Sequence, residues 1–229
     1  MPAPRVLMIL TAKRRPGSLD ERTGLWLDTF AAPYYAFVDD GIDLTIASAD
    51  GEPPVLDPKS LTEEAMTAAT RRFGDDPEAH AALADALPLA VVEPNDFDAV
   101  FVCGGVGGDD RHHAERLTTL LRAFHTAKKP IAALGNAAAA LVAVRDADGR
   151  PLLDGKRIAA PSAAEERAVA NGCALPPDLA EQLRRVGAKI VDGLDFRAHA
   201  VVDGRLVTGQ NAQSSVHTAE ALLTVLDDL

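Results

Sequence analysis

The sequence predicts an α/β fold: a mostly parallel sheet with helices on both faces. Two observations carry this. Apolar runs of strand length recur along the 229 residues, and patterns of helical period separate one run from the next. The element order follows directly. "RVLMIL" is the first strand, and "TGLWLDTFAAPYYAFVDDG" a helix with Gly41 as its stop. "DLTIAS" and "AVFVCG" are further strands. "RHHAERLTTLLRAFHTAKK" carries apolar residues at helical spacing and leads into "PIAAL", a buried strand running straight into a helix at Gly135. "DLAEQLRRVGA", "KIV", "RLVTG" and "SSVHTAEALLTVLDD" supply the remaining helix, strand, strand and helix. Residues 50 to 88 break the rhythm. A turn-rich loop, "DGEPPVLDPKS", precedes two short Ala-rich helices, "LTEEAMTAATRRF" and "PEAHAALADAL", which form an excursion beside the sheet of one domain spanning 1–229.

Composition excludes several functions. The chain is 47% hydrophobic and 25% charged, enough to bury a full core. Its 34 acids against 23 bases give a net charge of −11, the wrong sign for a general nucleic-acid binder, which needs a basic face to displace phosphate counterions. No apolar run reaches the roughly 18 residues of a membrane span, and "MPAPRVLMIL" is too short and weakly basic for a signal peptide. The expected compartment is the cytoplasm, with Cys103 and Cys173 reduced.

In such a sheet, ligands bind outside the carboxyl ends of the strands, so the strand-to-helix turns hold the candidate residues. After "AVFVC" comes "GGVGGDD", whose glycines let backbone N–H groups approach a ligand. Gly105, Val106 and Gly107 are the candidate ligand-binding residues there. The turn lacks the Lys and Ser/Thr of a phosphate loop and the G-x-G-x-x-G spacing of a dinucleotide site, and no cofactor is expected. "AALGNAAAAL" places Gly135 at the tip of an elbow and Asn136 at the first helical position. Glycine tolerates the strained backbone of such a tip, and its N–H, with its neighbours', can bind an anion or a carbonyl oxygen. On the first long helix, Asp28 follows Trp26 and Leu27. A carboxylate on a mostly apolar face either meets a partner or has a raised pKa. His112 and His113 are adjacent, point about 100° apart on a helix, and have no zinc-motif spacing, so no metal site is expected. His125, His199 and His217 read as surface or hydrogen-bonding residues. Cys103 stands as an alternative nucleophile if its turn lowers its pKa, or as buried packing.

Several stretches together resemble the ThiJ/PfpI superfamily, in the branch of glyoxalase-III-type enzymes and small stress chaperones. They are "RTGLWLDTFAAPYYAFVDDGIDLTIAS", "VFVCGGVGG", "PIAALGNAAAALVAVRDADGRPLLDGKRI", "AEE" and "VVDGRLVTGQNAQSS", in that branch's order and over nearly the whole chain. The resemblance implies a flavodoxin-like three-layer sandwich related to class I glutamine amidotransferases, a homodimer, and a cysteine at the elbow that attacks a reactive carbonyl such as methylglyoxal with help from the next histidine. Carried onto this sequence, the cysteine position is Gly135, the histidine position Asn136, the first-helix acid Asp28 and the orienting acid Glu166, while Val106 stands where the family's glycine turn has histidine.

The scaffold is therefore expected without its reactive side chains, and no thiolate at the elbow can begin a covalent step. The leading expectation is a protein that binds a small carbonyl or carboxylate ligand, or acts as a chaperone-like dimer, without glyoxalase, deglycase or protease activity. The alternative is a cysteine-independent lyase, isomerase or hydratase with Asp28 as acid/base. A third reading moves the nucleophile to Cys103.

Overall fold

The computed structural model describes residues 3–11, 24–104, 111–170 and 178–229. Seven strands form the main sheet: β1 (Arg5–Leu10), β2 (Asp43–Ser48), β3 (Leu87–Pro88), β4 (Ala99–Cys103), β5 (Ile131–Leu134), β8 (Ala200–Asp203) and β9 (Leu206–Gly209), in the order β3-β2-β1-β4-β5-β9-β8. Every pairing is parallel except β8 with β9. Two further strands, β6 (Arg157–Ile158) and β7 (Lys189–Ile190), make a small parallel sheet of their own. "KIV" is thus a strand, but it lies outside the main sheet. The helices are α1 (Leu27–Asp39), α2 (Ala68–Gly74), α3 (Pro77–Ala84), α4 (Arg111–Thr126), α5 (Ala163–Ala170), α6 (Leu179–Arg185) and α7 (Ser215–Asp227).

Alternation along each central strand builds two cores. Leu7 and Ile9 of β1, Val100 and Val102 of β4, and Ile131 and Ala133 of β5 face Leu120, Leu121 and Phe124 of α4 and Leu183 of α6. Their neighbours Val6, Met8, Leu10, Phe101, Cys103 and Leu134 face Phe30 and Phe37 of α1 and Ala219 and Leu222 of α7. Both faces are covered, so these strands are apolar at every position after Arg5. The result is the flavodoxin-like three-layer α/β arrangement.

Local chemistry sets the boundaries. Gly41 ends the turn after α1 with φ +78°, a conformation open to glycine at little cost. In the excursion, residues 58–61 and 63–65 form two 3₁₀ turns, and α2 begins only at Ala68. The reason is Thr67, whose hydroxyl accepts from the Thr70 amide while Thr70 Oγ1 accepts from the Thr67 amide, a capping box that fixes the helix start. Arg72 then ties α2 to α1 by a two-pronged pair with Asp39 at 2.6 and 2.9 Å, its guanidinium lying 3.8 Å over the Tyr35 ring. After β5 the chain does not enter an α-helix. Residues Gly135–Ala143 form a nine-residue 3₁₀ run instead, closing with the Val144 amide on the Leu141 carbonyl. A 3₁₀ coil eclipses side chains three apart, and the alanines of this run tolerate that crowding.

Candidate functional site

The carboxyl ends of β4 and β5 meet in backbone contact. A methyl group placed on Gly104 would fall 2.1 Å from the Leu134 carbonyl oxygen, 3.0 Å from the Asn136 nitrogen and 3.1 Å from the Ala137 nitrogen. Only hydrogen fits there. Helix α1 joins the same junction at its first turn, where Thr29 Oγ1 donates to the Trp26 carbonyl at 2.7 Å and lies 3.5 Å from the Gly104 carbonyl. Beyond Gly104, the predicted ligand-binding residues Gly105, Val106 and Gly107 lie outside the described residues, as does Cys173.

Gly135 follows β5 with φ +60°. That is the left-handed backbone of a strained elbow, and among the described residues a β-carbon built on it meets no atom within 4 Å. The elbow therefore keeps both its geometry and open room for a side chain, and presents hydrogen. Asn136 is half-buried, and among the described residues its amide makes no hydrogen bond. The opening amides of the 3₁₀ run, at Gly135 and Asn136, come before its first i→i−3 bond.

Asp28, in the first turn of α1, is 8% exposed. Its Oδ1 accepts from Thr67 Oγ1 at 2.5 Å. Burial pushes the carboxyl above its ordinary range, and the Thr67 bond pulls the other way more weakly. Among the described residues Oδ2 has no partner. Asp28 lies at one end of a groove of about 1180 Å³ between α1, the 62–69 segment and α7, lined also by Trp26, Ala32, Met66, Gln213 and Val216. Gly135 and Asn136 do not line it. The elbow and Asp28 are linked through Thr29, which neighbours Asp28 in the chain and lies 3.5 Å from the Gly104 carbonyl.

The two acids of "AEE" part company. Glu166 is half-buried, accepts from the Leu179 amide at 3.4 Å at the start of α6, and has its pKa raised by burial. Among the described residues it makes no hydrogen bond to Asn136. Glu165 turns inward and is 3% exposed. It accepts from the Ser162 and Phe196 amides at 2.9 and 2.7 Å, from Gln210 Nε2 at 3.1 Å and from Asn211 Nδ2 at 2.6 Å. Gln210 and Asn211 follow Gly209, the register partner of Leu134, so this buried network stands beside the elbow. Sequence reasoning passed over Glu165, yet a signal was present: Ser162-x-x-Glu165 is a capping box, with the Glu165 amide donating back to Ser162 Oγ.

Cys103 is fully buried on β4, and burial pushes its thiol well above the usual range, away from the reactive thiolate. It packs from the sheet against the α1 side of the core with no exposed surface, which counts against Cys103 as a relocated nucleophile. His199 Nε2 lies 3.0 Å from the Val191 carbonyl. Among the described residues no three His, Cys, Asp or Glu side chains gather as a metal site, and no helix is long and apolar enough to cross a membrane.

Comparison with known proteins agrees with this architecture. A glutathione-independent glyoxalase of Schizosaccharomyces pombe is 29% identical over 98% of this chain and 97% of its own. The crystal structure of the 24 kDa rapid encystment protein of Francisella tularensis superposes with a TM-score of 0.85 at 26% identity, covering 97% of this chain and 99% of that one. Glyoxalase III of Candida albicans shares the fold with a TM-score of 0.84 at 24% identity, over 97% of each chain. The DJ-1/PfpI family profile matches residues 29–225, and the chain belongs to that family.

Proposed function

We propose that this protein binds a small carbonyl or carboxylate ligand at the Gly135 elbow without forming a covalent bond to it, as a homodimer of the cytoplasm. One observation carries the reading. The elbow retains φ +60° and, among the described residues, free space around its α-carbon, yet Gly135 brings no nucleophile. Asn136, which follows, has an amide that neither gives nor takes a proton at neutral pH. What the junction still offers a ligand is hydrogen bonding, from the Asn136 side chain and the opening amides of the 3₁₀ run. The kinship to proteins named as glyoxalases supports a carbonyl-sized ligand, and the missing thiol supports binding in place of their reaction.

The test is D-lactate formation from methylglyoxal without added thiol. The natural protein is expected to stay at background, and the double variant Gly135→Cys with Asn136→His to rise above it. Turnover by the natural protein well above background would overturn the proposal. A second reading rests on the burial of Asp28, whose raised pKa suits proton transfer in an enolisation, isomerisation or hydration. Under it, Asp28→Asn abolishes turnover of whichever substrate is found; under the binding reading, ligand affinity at the elbow survives that change.

A further inference from the structure

Gly135 and Asn136 do not line the groove beside α1, which has a shape and charge of its own. Measured along α1 from Asp28 to Asp40, both of which line it, the groove runs for about 18 Å at the helical rise of 1.5 Å per residue. Its floor is apolar and low: Ala32 and Ala36 one turn apart on α1, Ala65 and Ala69 on the excursion wall, and Val216 and Leu223 on the α7 wall. Val216 is 37% exposed, an apolar side chain facing solvent. At about 1180 Å³ the space is above the roughly 300–1,000 Å³ of ordinary small-molecule pockets.

Acids ring it on all three walls. Asp40 stands at the end of α1, Glu64 on the excursion and Glu220 on α7, with Asp28 at the far end. Of the two bases on the rim, Arg72 is engaged by Asp39, which leaves Lys59 against four acids. Asp28, 8% exposed and held at Oδ1 by Thr67, lines the same space. A second copy of a chain with net charge −11 would be repelled by such a rim. A single-headed amphiphile would answer one acid and leave the others unmatched.

We propose that this groove is a docking site for a basic amphipathic helix of a partner protein, about three turns long. Its apolar stripe lies on the alanines, Met66, Val216 and Leu223, small residues that let the two backbones approach closely. Lysines or arginines on its flanks meet Asp40, Glu64 and Glu220, and one at its end reaches Asp28 Oδ2.

The probe is a fluorescein-labelled 14-residue Leu/Lys peptide with one apolar face, titrated with the full chain in 50 mM salt and followed by anisotropy. The triple variant Asp40→Lys, Glu64→Lys, Glu220→Lys is expected to weaken binding by more than about tenfold. A control with the same change in net charge on exposed residues elsewhere, Glu52→Lys, Glu93→Lys, Asp148→Lys, is expected to weaken it by less than about threefold. Circular dichroism confirms that both variants fold. Equal loss in both triples, equal binding by a peptide of the same composition without an apolar face, or tighter competition by dodecylamine than by the unlabelled peptide would each overturn the proposal. So would a self-association that the groove triple abolishes, since the occupant would then be a second copy. Gly135→Cys, which alters only the elbow, leaves peptide binding unchanged.

Discussion

Replacing Glu165 by alanine probes the polar network beside the elbow, and its cost can be worked from the contacts. Four donors converge on this carboxylate. Gln210 and Asn211 are buried, and the other N–H groups of their amides are already committed to the Leu194 and Arg197 carbonyls, so the hydrogens aimed at Glu165 have no second acceptor. Orphaning each costs about 1–2 kcal/mol. The Ser162 and Phe196 amides lie nearer solvent, where water replaces part of the loss, leaving about 0.5–1 kcal/mol each. The sum is about 4 kcal/mol, and at about 2–4 °C per kcal/mol for a chain of this size the melting temperature should fall by about 8–16 °C. Glu165→Gln keeps one accepting oxygen but turns an NH₂ group toward donors, so it should fall between the two. Thermal unfolding followed by circular dichroism measures both. The network also holds the 193–197 loop, where Phe196 is kept at φ +56°, and protease cleavage there should accelerate in the alanine variant. A loss below about 1 kcal/mol, with the loop as resistant as before, would refute the reasoning.

Two further outcomes follow from the same junction. Gly135→Ala should cost only about 1–2 kcal/mol, the ordinary penalty of a left-handed residue, because its methyl group meets no described atom within 4 Å, whereas Gly104→Ala should cost more than about 3 kcal/mol or prevent folding, because its methyl group meets the Leu134 carbonyl. Urea denaturation ranks the pair, and the reverse order would sink the description of the junction. Asp28 carries a pH signature. Its folded pKa lies above the unfolded value of about 3.9, so the native state holds its proton longer and stability drains away as pH rises from there through the folded pKa, then levels. Asp28→Asn has no such proton and still accepts from Thr67, so its stability relative to the natural protein should grow from pH 4 to 7; a constant or shrinking difference would count against burial of the acid.

The central sheet was legible because β1, β4, β5 and β9 are largely apolar, buried runs bounded by turn residues, a pattern that a strand covered on both faces must write into its sequence, and β2 is buried over its last three residues. Strand β8 escaped because it is an edge strand with alternating burial, joined to β9 by the two-residue turn Gly204-Arg205, and β3 and β6 have two residues each. The 3₁₀ run after Gly135 escaped for another reason: an Ala-rich stretch has the same apolar pattern whichever coil it adopts. At the site, the apolar company of Asp28 announced its burial, but its partner Thr67 lies 39 residues away in a segment read only as a helical excursion. Which acid of "AEE" turns inward is a matter of one helical step of about 100°, and only the capping pattern with Ser162 distinguishes Glu165 from Glu166.

Thr67 serves two masters at once, its oxygen receiving the Thr70 amide while its proton goes to Asp28. Anything that claims the carboxylate must be felt at the first turn of α2, because a hydroxyl that swings away to a new acceptor loosens its grip on that amide. Deuterium uptake at Thr70 is thus a built-in gauge of occupancy at Asp28, readable without knowing what the occupant is.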